Sequence, residues 1–199
     1  YSSYHAHLSD KATRLQRGLD NITTLELDLD AEGPPAVAAD GAWARWVFAF
    51  VKHPRDLLAR VGGALKRGGV LVVHEYFDYA TWRVAPRSPE IEEFVRVVME
   101  SWRADGGEPD IGLDLPIWLG ELGFATKSLH PIIDVVPASN FVWQWPTAFI
   151  QVGLRRLVDL GHLTADRALA ISEALAASEA APHTLMVTPA VLEIIAVRQ

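Results

Sequence analysis

The chain has 199 residues, half of them hydrophobic, a formal charge of -7 and a pI near 5.4, which predicts one globular unit with a sizeable core. The acidic balance and the scattering of Lys and Arg, with no run longer than two, argue against a phosphate-backbone partner, so no nucleic acid is expected. The absence of cysteine excludes disulfides and thiolate metal sites and fits a cytoplasmic setting, and no apolar run approaches the roughly 20 residues of a membrane span.

The first sixteen residues read as a polar helical segment with Ser9 and Asp10 at its cap, without the charged-then-apolar pattern of a signal peptide. Gly18 to Asn21 is a turn, and the alternation from Ile22 to Leu29 predicts a strand that ends at Asp28 and Leu29. The Pro34-Pro35 segment is a loop. The apolar run from Asp40 to Val51 predicts a buried strand, and Pro54 opens a helix to Lys66. Gly68-Gly69 then turns the chain into a strand over Val70 to Val73 that stops at His74 and Glu75. Strand, helix, turn and strand make a βαβ unit, which implies a parallel sheet with a ligand site beyond the carboxyl ends of its strands. Arg45, Trp46, His74, Glu75 and Tyr76 fall at those ends.

Ser88-Pro89-Glu90 carries a cap, a proline at the first helical position and acidic residues in the first turn. Ile91, Phe94, Val95, Val98 and Trp102 follow at helical spacing. Leu115 to Leu122 is a short helix closed by Gly123, and Lys127 to Val136 is a strand bent or placed at an edge by Pro131. Two helices, Trp143 to Leu160 and Thr164 to Ala177, precede a last strand from Val191 to Val197. Trp82, Trp102, Trp143 and Trp145 lie outside the predicted strands, which suggests an aromatic-lined pocket or interface.

Three stretches resemble one family in their order and spacing. These are Gly18-Leu19-Asp20-Asn21-Ile22 through Asp28, then Leu65-Lys66-Arg67-Gly68-Gly69-Val70-Leu71, then Glu108-Pro109-Asp110-Ile111-Gly112 with Leu115-Pro116 and Glu121-Leu122-Gly123-Phe124. The chain is similar to the second half of a class I S-adenosylmethionine-dependent methyltransferase, with Arg67 where that family usually has Pro. The resemblance implies an α/β, Rossmann-like methyltransferase sheet, incomplete at its N-terminal half, with residues 138–182 as a helical insertion before the last strand of a single domain. The family's first strand carries a D-x-G-x-G-x-G loop, and nothing in this sequence matches it. The expectation is that a block between about Thr13 and Gly18, roughly 60–80 residues for a first βαβ half, is missing from the pattern.

The same resemblance implies methyl transfer from S-adenosylmethionine to an O, N or C nucleophile of a small molecule. The alternative is an inactive methyltransferase-like module for binding or dimerisation, with a second copy of the chain as partner. Asp28 and Leu29 match the residues that meet the adenine, and Arg45 and Trp46 lie at the methionine end of the cofactor. His74 is the candidate general base, since a histidine titrates near neutral pH. Glu75, Tyr76, Tyr79, Trp82 and Trp143 are the candidate substrate residues. The histidines show no metal-ligand spacing, and no metal site is expected.

Overall fold

A computed structural model describes residues 16–199. The N-terminal helix with its Ser9 and Asp10 cap, and most of the stretch where a missing block is expected, lie outside the described residues. The strands are β1 (Ala39–Arg45), β2 (Leu65–Asp78), β3 (Arg83–Ala85), β4 (Phe124–Ile132), β5 (Val135–Pro137), β6 (Leu185–Val187) and β7 (Ala190–Arg198). The α-helices are α1 (Pro54–Ala64), α2 (Pro89–Ala104), α3 (Asp114–Glu121), α4 (Gln144–Asp159) and α5 (Ala165–Ala180).

The main sheet has the order β1-β2-β7-β4. β1 and β2 are parallel, as the βαβ reading requires, but β7 runs antiparallel to both β2 and β4. The sheet is therefore mixed, a correction to the expected parallel one. β7 enters from the helical segment at the far end, so it descends where its neighbours rise. The Gly68-Gly69 pair is also more than a turn. Ala39 pairs with Leu65 and Gly41 with Val70, so residues 66–69 bulge out of one continuous strand. Gly68 has φ 79°, which a side chain rarely adopts, and a Cβ on Gly69 would lie 2.9 Å from the Lys66 carbonyl oxygen.

The strand expected over Ile22 to Leu29 is not formed. Alternation supplies a face, but a strand also needs a ladder with a neighbouring strand, and among the described residues this segment joins neither sheet. Ile22 and Leu25 remain 42% and 60% exposed. The segment ends instead in a tight turn, in which the Ala31 and Glu32 N–H groups donate to the Asp28 carbonyl.

Period-two alternation divides the sheet into two faces. On one, Leu71, Val73, Leu192, Ile194 and Ala196 pack against α1 and α3, whose Leu57, Leu58, Leu115 and Leu119 are fully buried. Each such leucine contributes roughly 1.5–3 kcal/mol. The other face carries Trp43, Val70, Val72 and His74, and Trp43 is 62% exposed. A second core lies beyond the carboxyl ends of β1 and β2, where α2, α4 and α5 meet around Phe94, Trp82, Ile150 and Ile171. α2 starts as its sequence predicts: Ser88 Oγ accepts the Ile91 N–H at 3.4 Å and Pro89 takes the first turn. A small sheet, β3-β6-β5, ties this helical layer to the main one. Among the described residues no helix is long and apolar enough to cross a membrane.

Candidate active site

The predicted strand to Val51 stops at Arg45 because the next four residues are pulled into a tight turn. Trp46 has φ 53°, and its N–H donates to the His74 carbonyl at 3.0 Å. The Val47 and Phe48 N–H groups donate to Glu75 Oε1 at 2.6 and 2.7 Å. A non-glycine residue in the left-handed region costs about 1–2 kcal/mol and persists only where its surroundings hold it. Here the holder is Glu75.

Glu75 is fully buried. Its Oε2 has no hydrogen-bond partner. Burial raises its pKa from 4.5 to about 7, against the pull of the Phe48, Val47 and Ala49 backbone. Its carboxyl group braces the turn through these two bonds.

What the turn presents is an aromatic stack. The Trp46 ring lies between Tyr76 (5.5 Å, 10°) and Trp145 (5.0 Å, 19°), and Trp145 continues to Trp82 (6.4 Å, 26°). Tyr79 meets Tyr76 and Trp82 edge-on at 4.7 and 5.8 Å. The Arg45 guanidinium sits 4.0 Å from the Trp46 ring centroid. The indole nitrogens of Trp46 and Trp82 are buried and have no hydrogen-bond partner among the described residues. Beside the stack opens a pocket of about 370 Å³ lined by Arg45, Phe141, Val142, Gln144 and Trp145.

Arg45, Trp46, Tyr76, Tyr79 and Trp82 are thus brought together, with Arg45 on the pocket and Tyr79 and Trp82 fully buried behind it. Trp143 is elsewhere: it is buried in the helical core and its Nε1 donates to Glu179 Oε1 at 2.9 Å. His74 lies on the open sheet face, its Nε2 3.0 Å from Glu193 Oε2 and its ring edge-on to Trp43 at 5.9 Å. Asp28 and Leu29 sit in the turn against α1. Asp28 Oδ1 accepts the Asp30 N–H, and the Leu29 carbonyl accepts from Arg60. The sequence marked Trp145 only as one of the tryptophans of an aromatic pocket or interface and did not mark Phe141, although residues 141–146 are dense in aromatics.

The Glu108 to Gly112 motif supports the site from outside. The Glu108 N–H donates to the Ala49 carbonyl, and Asp110 Oδ1 accepts the Tyr79 N–H at 2.8 Å. Arg103 bridges Glu108 and Asp110, holding the Glu108 carboxyl below the usual carboxylate range. Gly112 lies so close to β2 that a Cβ there would meet the Tyr76 carbonyl oxygen at 2.6 Å. Among the described residues no group of three His, Asp or Glu side chains is gathered to hold a metal ion.

The chain matches no protein-family model and no curated protein sequence. It is similar in fold to the YcgJ protein of Bacillus subtilis, with TM-score 0.57 and 11% identity over 95% of this chain and 76% of that one. A Galdieria sulphuraria protein, provisionally assigned as a sarcosine dimethylglycine methyltransferase, gives TM-score 0.53 and 14% identity over 95% and 64% of the two chains. A Bacillus halodurans protein, provisionally assigned as a methyltransferase, gives TM-score 0.51 and 11% identity over 89% and 78%. The chain thus spans from just under two thirds to just over three quarters of these structures. At such identities the likeness is one of fold alone, the Rossmann-like α/β architecture that these structures share with this chain.

Proposed function

We propose that the chain carries out S-adenosylmethionine-dependent methyl transfer to a small molecule held over the carboxyl ends of β1 and β2. The observation that supports it is the stack of Tyr76, Trp46 and Trp145 beside a pocket at those ends. When bound, the cofactor supplies a methyl group already activated on a sulfonium. The protein has to align, to exclude water and, where the nucleophile carries a proton, to accept it.

The residues present suit the sulfonium end of that cofactor. Aromatic faces attract a cation, and Trp46, Tyr76 and Trp145 bring three aromatic rings to this level. Asp28 and Leu29 are the residues proposed to meet the adenine, through a carboxylate and a backbone N–H. His74, its ring fixed by Glu193, is the proton acceptor this reading offers. Tyr79 and Trp82 back the aromatic wall from the interior and keep water out.

Calorimetric titration with S-adenosylhomocysteine tests the reading. Saturable binding that Trp46→Ala weakens at least tenfold is expected. A folded chain with no affinity for S-adenosylhomocysteine would overturn it.

A further inference from the structure

Arg45 differs from most arginines near the site. Arg87 is paired with Glu92, Arg103 with Glu108 and Asp110, and Arg167 with Glu93. In the arginine-rich hollow of about 360 Å³ beside Trp82, Arg87 and Arg96 are likewise paired, with Glu92 and Glu100. Arg45 has no carboxylate or carbonyl partner among the described residues, and its neighbour is the face of Trp46 at 4.0 Å. Stacking occupies the plane of a guanidinium and leaves its in-plane N–H fork free. That fork matches a carboxylate, which it can engage through two parallel hydrogen bonds.

The pocket on which Arg45 stands has one cation, one amide and an apolar remainder. Phe141, Val142 and Trp145 supply the apolar surface, Gln144 the amide, and no acidic side chain is in the lining. Phe141 is 80% exposed, a large aromatic surface left uncovered at the rim. The helical run that supplies these residues starts at Asn140, whose side chain accepts the Val142 N–H, and has no acidic residue in its first turn. Its positive end therefore adds to the charge of Arg45. The cofactor's amino-acid end is a poor match for this lining, because its ammonium would find no counter-charge there.

We infer that the molecule methylated here is a carboxylic acid with an apolar or aromatic body and no charged amine, its carboxylate held by Arg45 and its body laid against Phe141 and Trp145. This assignment rests on the methyltransferase reading for the reaction, but the binding it describes stands without it.

The test follows tryptophan fluorescence of the whole chain during titration with 3-phenylpropionate, its methyl ester, phenylalanine and phenyl phosphate. The acid is expected to bind saturably, at least tenfold more tightly than the ester and than phenylalanine, which adds only an ammonium. Arg45→Gln should weaken the acid at least tenfold and Arg45→Lys by less, with unchanged far-ultraviolet circular dichroism. S-adenosylhomocysteine affinity should stay within twofold in both variants. The inference is overturned if the acid does not bind, if the ester or phenylalanine binds as well, if phenyl phosphate binds more tightly, or if Arg45→Gln leaves the acid unaffected. It also falls if Arg45→Gln removes S-adenosylhomocysteine binding, since Arg45 then serves the cofactor. Arg45-dependent acid binding without any S-adenosylhomocysteine binding upholds the pocket and defeats the methyl-transfer reading.

Discussion

Glu75 predicts an unusual dependence of stability on pH. Its pKa rises from 4.5 to about 7 because burial disfavours the ionised form. The fold therefore prefers the protonated carboxyl. Its contribution is complete below pH 4.5 and is lost as the pH rises through about 7. At about 1.4 kcal/mol per pH unit, the 2.5-unit gap between those values amounts to roughly 3 kcal/mol by pH 8. Glu75→Gln keeps an oxygen for the Val47 and Phe48 N–H groups and replaces the ionisable oxygen by an amide that cannot charge. The protonated acid leaves one buried donor unmatched and the amide two, so at pH 5 the variant should be less stable than the parent by about 1–3 kcal/mol. Between pH 5 and pH 8 the difference should move by about 2–3 kcal/mol in favour of the variant. Urea unfolding followed by tryptophan emission at pH 5, 6, 7 and 8 measures both. If the two curves of stability against pH run parallel across that range, Glu75 does not titrate near 7 and the account of a charge-averse brace under the turn is refuted.

Other consequences are as direct. Gly112→Ala would force a Cβ to within 2.6 Å of the Tyr76 carbonyl oxygen, and overpacking of this kind costs about 1–3 kcal/mol, read as a lower melting temperature. Glu179→Ala removes the acceptor shared by the Trp143 indole and the Thr147 hydroxyl, with an expected loss of about 1–3 kcal/mol in urea unfolding. Glu179→Gln, which keeps an acceptor oxygen, should recover most of it. Trp46→Gly takes the strain of about 1–2 kcal/mol out of the left-handed position but deletes a ring packed on Tyr76 and Trp145, a larger loss of about 3–5 kcal/mol. It should melt at a lower temperature and lose the near-ultraviolet dichroism of the stacked indoles.

Local signals were the legible part of the sequence. The cap and proline at Ser88-Pro89 and the apolar spacing from Ile91 to Val98 marked α2 nearly to its ends. The βαβ unit was visible too, and with it the level at which Arg45, Trp46 and Tyr76 gather. Pairing was not legible. Ile22 to Leu29 has a strand's alternation but joins no sheet among the described residues, whereas Leu65 to Gly69, which reads as helix end and turn, is drawn into β2 by Ala39. The antiparallel course of β7 depends on where the chain returns from its helices, and β3, β5 and β6 have only three residues each, too few for a pattern. Within the aromatic run the missing information was angular. Trp143 and Trp145 stand two residues apart, about 200° around a helix axis, so one is bound to face the core when the other faces the pocket. Glu75 was expected at a strand end but lies within β2, which runs on to Asp78, and its two backbone bonds depend on a turn that only the tertiary structure creates.

The small sheet has a further consequence. Pro137 pairs with Leu185, and Val135 with Val187, so the chain leaves for α4 and α5 and comes back on adjacent strands about 5 Å apart. A segment whose ends meet in this way is topologically a detachable cassette. It can be lengthened, shortened or exchanged without altering the register of any strand in the main sheet. Because Phe141 and Trp145 ride on that cassette while Arg45 and Trp46 belong to the frame, the shape of the pocket and its charge are carried by separately replaceable parts.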